Sequence, residues 1–478
     1  MLSNTTIAVL MASLDGNIVL IALPTIAKDL PGHSIFILLW ILIGYGLITA
    51  VVLLNFGRFS DMYGRVKLYD LGLAIFTGGS ALCGFSQTGI ELVVFRMIQA
   101  IGAGFLFSNS AAIITDAFPP NERGTAIGIN QVSIVVGSVS GLVLGGFLTE
   151  VAGWPSIFFV NVPIGIFAFV WSRSRLKEIG TIEGGQKIDY VGNITFAVGL
   201  SLLLLGVTLG ALGALDPIGL VAYLGVGTAM LATFGYVETR TTQPMFDLRL
   251  FKNRVFTGQN IAIFLNSLAR GGFSFVLVFY LQGPPHLLDP LTAGLYLVPV
   301  SASLAILGPI SGRLSDRHGP RAYTTLGLII SSIGFLLLTT IGPTTGFADL
   351  VLPFVLVGAG MGIFASPNRA AIMNAVPPNR RGVGSGISTT FVNAGVTFSL
   401  GFAIAIMASV LPLSSLQKIF LGQNISTQSF NPTLIPNFMS SIHLVFYIST
   451  ALLLISIAPS LIRPGQKHPG NTPPKAIS

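Results

Sequence analysis

The chain has 478 residues, of which 52% are hydrophobic and only 9% are charged, and its formal net charge is +8. A soluble globular protein carries about 25% charged residues, so this composition excludes a water-soluble domain. The apolar stretches reach the roughly 20 residues that cross a bilayer as a helix and lack the alternation of a membrane β-barrel strand, which predicts an all-α integral membrane protein.

Clusters of Gly, Pro and charged residues divide the chain into fourteen predicted spans. The first six are 6–27, 36–56, 68–88, 91–114, 125–149 and 154–172. The other eight are 190–210, 217–236, 255–282, 291–311, 322–342, 347–370, 383–412 and 439–462. The single cysteine, Cys83, lies in the third span, and one cysteine excludes an internal disulfide and a thiolate metal cage.

Lys and Arg residues concentrate in alternate loops between these spans. If the chain starts in the cytoplasm, nearly all loop Lys and Arg residues lie on cytoplasmic loops, and only Lys28 and Lys418 lie outside. Short loops rich in Lys and Arg stay on the cytoplasmic side of a membrane. The pattern therefore predicts a multi-pass cell-membrane protein with both termini in the cytoplasm. Membrane topology accounts for the positive charge, so no nucleic-acid partner is predicted.

Two loop sequences occur twice. GRFSDMYGRVK at 57–67 returns as GRLSDRHGPR at 312–321, and PPNERGTAIGI at 119–129 returns as PPNRRGVGSGI at 377–387, at offsets of 255 and 258. Parallel repeats of six helices are typical of transporters that bind substrate between their halves. The predicted units are an N-terminal six-helix half, 1–175, a linker with two extra helices, 176–254, a C-terminal six-helix half, 255–463, and a disordered cytoplasmic tail, 464–478. We expect the two extra helices to pack outside the twelve-helix core.

Four groups of residues have the spacing of known transporter motifs. The loop after the second span carries Gly57, Asp61, Gly64, Arg65 and Lys67, and the fourth span carries Arg96, Gln99, Ala100 and Gly102. The fifth span carries Gly128, Gly137, Gly141, Gly145 and Gly146, and the first span contains LDGNIVLIALP from Leu14 to Pro24. In this order the motifs resemble the major facilitator superfamily, and specifically its fourteen-span branch of drug:proton antiporters.

The resemblance implies a major facilitator fold and a transporter that needs no cofactor. It assigns the loop at 57–67 to a cytoplasmic gate, with Asp316, Arg317 and Arg321 as the second-half equivalents, and it assigns the fifth-span glycines to close helix packing. Two positions depart from the family pattern: Leu142 replaces the proline of the fifth-span motif, and Asn17 replaces a first-span threonine. Charge topology alone is the alternative explanation for the loop, and plain helix packing is the alternative for the glycines.

Ionisable residues at membrane depth are costly, and three occur here: Asp15, Arg96 and Arg270. Asp15 is the only acidic residue that falls deep within a predicted span. A conformational change that alters the burial and the neighbouring charges of a carboxyl group can load and unload a proton. We therefore expect Asp15 to couple transport to protons, and a static ion pair is the alternative.

The predicted substrate cavity is lined by polar residues of the fourth and ninth spans. Arg96 and Gln99 share one helix face, although Arg96 could instead extend to the outer membrane boundary. Gln259, Asn266, Arg270 and Ser274 form a polar stripe on the ninth span, which should line the cavity. The repeat offset places Asp15 and Arg270 at equivalent positions, so we expect these two side chains to pair across the halves.

Three functions fit these observations. The first is proton-coupled efflux of amphiphilic or drug-like small molecules by alternating access, with small-molecule substrate, protons and the lipid bilayer as partners and the monomer as the functional unit. The second is export of organic anions or metabolites by Arg96 and Arg270. The third is a membrane sensor that transports nothing. The chain has no phosphate-binding loop and no catalytic or metal-ligand motif, so an enzyme, a cofactor and a metal site are not expected.

Overall fold

The computed structural model describes residues 1–31, 34–119, 122–178, 189–241, 244, 246–284, 286–377, 380–420 and 434–462. Within the helices its description leaves out the side chains at 54, 55, 57, 58, 61, 123–125, 128, 131, 135, 139, 381 and 382. The predicted tail, 464–478, lies outside the described residues.

In these described ranges all regular structure is helical. The first nine helices are α1 (Leu2–Asp29), α2 (Ile35–Tyr63), α3 (Arg65–Phe85), α4 (Gly89–Ala117), α5 (Arg123–Ala152), α6 (Ser156–Phe159), α7 (Asn161–Arg175), α8 (Tyr190–Ala211) and α9 (Pro217–Arg240). After a short 3-10 helix, Leu248–Lys252, come α10 (Arg254–Gln282), α11 (Pro290–Tyr296), α12 (Val298–His318), α13 (Pro320–Leu338), α14 (Phe347–Asn374), α15 (Arg381–Val410), α16 (Leu413–Phe420) and α17 (Leu434–Ser460).

Fourteen segments of this described structure are long and apolar enough to cross a membrane. Helices α6 and α7 together form one span, α11 and α12 together form another, and α16 is too short to be one. The segments coincide with the fourteen predicted spans, and the predicted fold class is confirmed.

The sequence repeat is also a packing repeat. On α3, Gly79 lies so close to Gln99 of α4 that an added Cβ atom would be 2.8 Å from its Cα atom. The equivalent Gly334 on α13 lies equally close to Val357 of α14, with 2.7 Å to its backbone nitrogen. Small residues at the same two crossings let each pair of helices pack backbone against backbone. At this crossing the two copies of the repeat therefore pack in the same way.

The two sets of spans meet tightly at one face of the bundle. We call the face where α1 ends the outer face, and the face where α1 begins the inner face. At the outer face Gly146 of α5 lies against the backbone of Pro290 in α11, and Gly294 of α11 lies against the carbonyl of Leu142. Close by, the Gln282 side chain of α10 donates to the carbonyl of Ile21 in α1 over 2.8 Å. We call these contacts between the two sets of spans the outer seal.

The two extra helices lie at the edge of this arrangement. Helix α8 packs on α9, on α15 and on α2, and Val207 and Thr208 of α8 contact Gly401 of α15. Helix α9 packs on α8 and on the 3-10 helix. These contacts agree with packing outside the core, and exclusion of both helices from the cavity stays a prediction.

Each repeat has one glycine in the turn at the inner face. Gly64 has φ +102° and ψ 130°, and its counterpart Gly319 has φ +85° and ψ 151°. A side chain in this region of φ and ψ is strained by about 1–3 kcal/mol. We expect Gly64→Ala and Gly319→Ala each to lower thermal stability in detergent. Gly78→Ala is the matched control, because Gly78 is helical and has nothing within 4 Å of an added Cβ atom; equal effects at all three positions would contradict the strain.

Candidate functional site

A buried carboxylate lies at mid-depth in α1. Asp15 is 13 residues from the start of the helix, about 20 Å along its axis, and its side chain is 0% exposed. Three groups donate hydrogen bonds to it: Arg96 Nη1 to Oδ2 at 2.5 Å, Gln99 Nε2 to Oδ1 at 2.9 Å, and Asn161 Nδ2 to Oδ1 at 3.0 Å. Both carboxylate oxygens are therefore held by donors from α4 and α7.

Further groups surround these four residues. Arg96 Nη1 also donates to Gln99 Oε1 at 2.8 Å, so the cation and the amide brace each other on adjacent turns of α4. Asn161 Nδ2 lies 3.2 Å from Ser80 Oγ, and the Ser80 hydroxyl in turn donates to a backbone carbonyl of α6. The ring of Tyr45 from α2 covers the guanidinium, with 4.0 Å from Arg96 Cζ to the ring centroid. We call Asp15, Tyr45, Ser80, Arg96, Gln99 and Asn161 the Asp15 network.

The ion pair at the centre of the network is electrically neutral and closed to solvent. Arg96 is 1% exposed and Asp15 is 0% exposed, so both charges have left water. Breaking a buried ion pair by removing one partner typically costs 3–5 kcal/mol, because the remaining charge stays buried. Three buried polar atoms of the network, Arg96 Nε, Tyr45 Oη and Asn161 Oδ1, have no hydrogen-bond partner among the described residues. The network thus has both a tight ion pair and spare hydrogen-bonding capacity for rearrangement.

The predicted pair of Asp15 with Arg270 is wrong for this structure, because the partner of Asp15 is Arg96. Helix α1 packs on α4, α5 and α7, which belong to its own half. The structure describes one hydrogen bond between α10 and α1, from Gln282 to the carbonyl of Ile21, and Gln282 lies 12 residues beyond Arg270 on α10. The alternative in which Arg96 extends to the outer boundary is also wrong, since its guanidinium turns inward.

The polar stripe predicted on the ninth span is only partly directed at the cavity. Gln259 accepts a hydrogen bond from Asn368 of α14 at 2.7 Å and donates to the carbonyl of Ser460 in α17, so it faces its own half. That part of the prediction is wrong, because one half of the protein satisfies this amide internally. Asn266 is buried, whereas Arg270 and Ser274 are partly exposed.

The first copy of the predicted gate is tied to neighbouring helices. Arg65 forms an ion pair with Asp116 at the end of α4, with 2.5 Å between Nη1 and Oδ1. The carboxylate of Glu178, just after α7, accepts from the backbone N–H groups of Arg65 and Val66 at 2.9 Å each. A carboxylate at a helix N-terminus satisfies free N–H groups and the helix dipole, so Glu178 caps α3. Sequence reasoning missed Glu178.

The other predicted gate residues are less constrained. Lys67, Asp316 and Arg317 are exposed, and Arg321 is partly exposed. Within the described part of the chain the side chains of these four residues form no hydrogen bond or ion pair. Gly57 lies inside α2, and the side chain of Asp61 is outside the described residues.

The fifth-span glycines hold α5 against the part of α1 that carries Asp15. A Cβ atom added to Gly137 or Gly141 would lie 2.5 Å from the carbonyl oxygen of Leu10 or Leu14, and one added to Gly145 would lie 2.9 Å from that of Ile18. Gly146 instead faces α11 in the outer seal, and Gly128 lies within α5 in the part whose side-chain positions are not described. The motif therefore sets how closely α1 can pack beside the Asp15 network.

Sequence reasoning missed Tyr45, Ser80 and Asn161. Asn161 begins α7, which is 146 residues away from Asp15 along the chain. No spacing rule connects residues on separate spans, so the sequence contained no local signal for this contact. A buried asparagine in an apolar span is the only hint, and it does not identify a partner.

Comparisons with known proteins agree with this architecture. The sequence model of the family described as Major Facilitator Superfamily matches residues 5–400 and, in a second match, residues 260–477. The riboflavin transporter RibZ of Clostridioides difficile is 35% identical over 404 residues, covering 83% of this chain and 85% of that protein. Multidrug resistance protein 3 of Bacillus subtilis is 30% identical over 430 residues, covering 88% and 82%.

A solved structure has the same fold. The inward-facing, unoccupied crystal structure of a bacterial homolog to the human lysosomal transporter Spinster aligns with a TM-score of 0.67, at 16% identity, over 96% of this chain and 95% of that one.

Proposed function

Because the chain belongs to the major facilitator superfamily and is a membrane transporter rather than an enzyme, we propose that it exports amphiphilic, drug-like small molecules in exchange for protons. The observation that carries this proposal is the Asp15 network, a neutral buried ion pair at mid-depth between α1 and α4. A transporter that uses a proton gradient needs a group that binds a proton in one conformation and releases it in another. Asp15 has the position and the surroundings for that task.

The chemistry depends on whether the three donors stay in place. In this conformation Arg96, Gln99 and Asn161 all donate hydrogen bonds to the carboxylate and occupy both of its oxygens. A carboxyl group that loses a neighbouring cation while it stays out of water favours its neutral form. Movement of α1 relative to α4 and α7 would thus load a proton, and restoration of the contacts would release it.

The packing of α5 supplies a mechanical link to this step. The glycines of α5 contact α1 on both sides of Asp15, and Gly146 of the same helix contacts α11 of the other half. A change at the outer seal is therefore transmitted by α5 to the helix that carries the carboxylate. At the inner face, the Glu178 cap and the Arg65–Asp116 pair are the contacts that a gate would break.

The same proposal includes the predicted topology. Both termini lie in the cytoplasm, the halves comprise residues 1–175 and 255–463, and the monomer is the transporting unit. The relatives support the substrate class only through their names, a riboflavin transporter and a multidrug resistance protein. Export of organic anions by Arg96 and Arg270 together is less well supported, because Asp15 neutralises Arg96.

Purified protein in proteoliposomes tests the proposal. With an imposed pH gradient we expect accumulation of at least one of three fluorescent probes, namely cationic rhodamine 123, anionic carboxyfluorescein and neutral riboflavin. Collapse of the gradient with a protonophore should abolish accumulation, and probe addition should move protons, measured with a pH dye inside the vesicles. If every probe that is transported accumulates to the same level with and without the pH gradient, proton coupling is overturned.

A further inference from the structure

We propose that Arg270 binds the acidic group of the substrate, so that this transporter prefers amphiphilic anions with a carboxylate or phosphate group. The proposal deepens the proposed function, since it names the charge of the substrate and requires only that the chain binds one. It does not depend on proton coupling.

The direction of the Arg270 side chain follows from its neighbours on α10. Gln259, 11 residues earlier and within about 20° on a helical wheel, bonds to Asn368 of α14. Gly271, about 100° further round, packs on Val396 of α15. Arg270 therefore lies on the face of α10 between α15 on one side and α14 and α17 on the other. The side chain is partly exposed although it lies 16 residues into a membrane-spanning helix.

The chain supplies no counter-charge at this depth. Within the described structure Arg270 forms no ion pair and no hydrogen bond. Asp15 is the only acidic residue deep in a span, and it is held by Arg96. On the adjacent helix α14, Asp349 lies in the first turn, at the outer end. Arg270 lies 12 residues before the outer end of α10, so the two charges are at different depths. The positive charge is therefore left for a group from outside the chain.

The two halves of the protein differ in the residues that surround their buried or partly buried charge. The glycines of α5 and α15 align Leu14 with Leu268, because Gly137 packs on the backbone nitrogen of Leu14 as Gly395 packs on that of Leu268. Arg270 therefore lies one residue beyond the position equivalent to Asp15, and not at that position itself. The offset of 258 for α4 and α14 places Phe354 where the first half has Arg96. Phe354 packs on Phe273, one turn beyond Arg270, with ring centroids 6.4 Å apart. Phe273 also packs on Phe335 at 5.0 Å. The first half thus surrounds its buried charge with polar partners, whereas the second half fills the corresponding helix crossing with buried aromatic rings.

The energetics favour an anionic ligand. An unpaired cation at membrane depth is costly, and a bound anion offsets that cost. Arginine matches carboxylate and phosphate in geometry, because its guanidinium donates two parallel hydrogen bonds to them. On α10 the guanidinium has the polar side chains of Asn266 and Ser274 one turn away on either side. The acidic group therefore meets polar side chains, and the apolar body is that of the amphiphilic substrate class proposed above.

Two dyes with the same xanthene skeleton and opposite charge test the proposal. Binding of 6-carboxyfluorescein and of rhodamine 123 to purified protein in detergent is measured by fluorescence anisotropy, without any pH gradient. We expect the wild type to bind carboxyfluorescein more tightly, Arg270→Gln to weaken that binding at least tenfold, and Arg270→Glu to reverse the preference. Arg254→Glu, an exposed position at the start of the same helix, is the matched control and should leave the preference unchanged.

The outcomes separate this inference from the proposed function. Equal binding of the two dyes by the wild type, or an unchanged preference in Arg270→Gln, overturns the anion site even if proton-driven transport is found. A reversed preference in Arg270→Glu supports the site even if transport proves independent of the gradient. If Arg270→Glu does not fold, Arg270→Gln and Arg270→Lys decide, because Lys keeps the charge and should retain part of the carboxyfluorescein binding.

Discussion

Asp15→Asn is expected to abolish accumulation of substrate driven by a pH gradient, while exchange of labelled for unlabelled substrate without a gradient continues. Asparagine keeps the shape of the side chain but cannot bind and release a proton. Accumulation should fall at least tenfold, to the level of protein-free vesicles. Both activities are measured in the same proteoliposome preparation, so a loss of folded protein would lower both equally.

The substitution also leaves Arg96 as an unpaired buried cation, with an expected cost of 3–5 kcal/mol. The double variant Asp15→Asn with Arg96→Gln removes both charges, and we expect it to recover stability without recovering gradient-driven accumulation. Asp70→Asn is the matched control, because Asp70 is a second buried acid, paired with Ser172 and Arg173 on α7 and outside the Asp15 network. Accumulation of substrate by the double variant under a pH gradient would show that another group carries the proton.

Gly141→Leu is expected to destroy the crossing of α5 over α1. A Cβ atom alone would approach the carbonyl oxygen of Leu14 to 2.5 Å, and Leu14 precedes Asp15. Overpacking of a close contact costs about 1–3 kcal/mol, and a leucine at a backbone contact exceeds what the helices can absorb by small shifts. We expect little or no monodisperse protein in size-exclusion chromatography, and we expect the smaller Gly141→Ala to fold but to transport poorly because α1 is displaced.

The matched control is Gly386→Leu on α15. Gly386 is the repeat equivalent of the motif glycine Gly128, yet nothing lies within 4 Å of a Cβ atom added to it. This variant should give wild-type amounts of folded protein. If Gly141→Leu and Gly386→Leu behave alike, the fifth-span motif does not act through contact with α1.

The sequence by itself determined the fold class, the number of spans and the repeat. Each span is recognisable because a helix in a bilayer must be apolar along about 20 consecutive residues, which is a local property of the chain. The offsets of 255 and 258 predicted equivalent packing in the two halves, and the crossings at Gly79 and Gly334 have it. The sequence also identified Asp15, Arg96 and Arg270 as the costly charges, since hydropathy alone places them at depth.

Only the tertiary structure decided which of these charges meet. Asp15 could pair with either arginine as far as depth and charge are concerned, and the repeat made Arg270 the symmetrical choice. The structure pairs it with Arg96 because α4 and α7 reach α1 at the level of Asp15, whereas the described hydrogen bond between α10 and α1 lies toward the outer end of α1. Helix neighbours are set by side-chain packing between segments far apart in the chain, as for Asn161 and Asp15, and that information is not present in any single span.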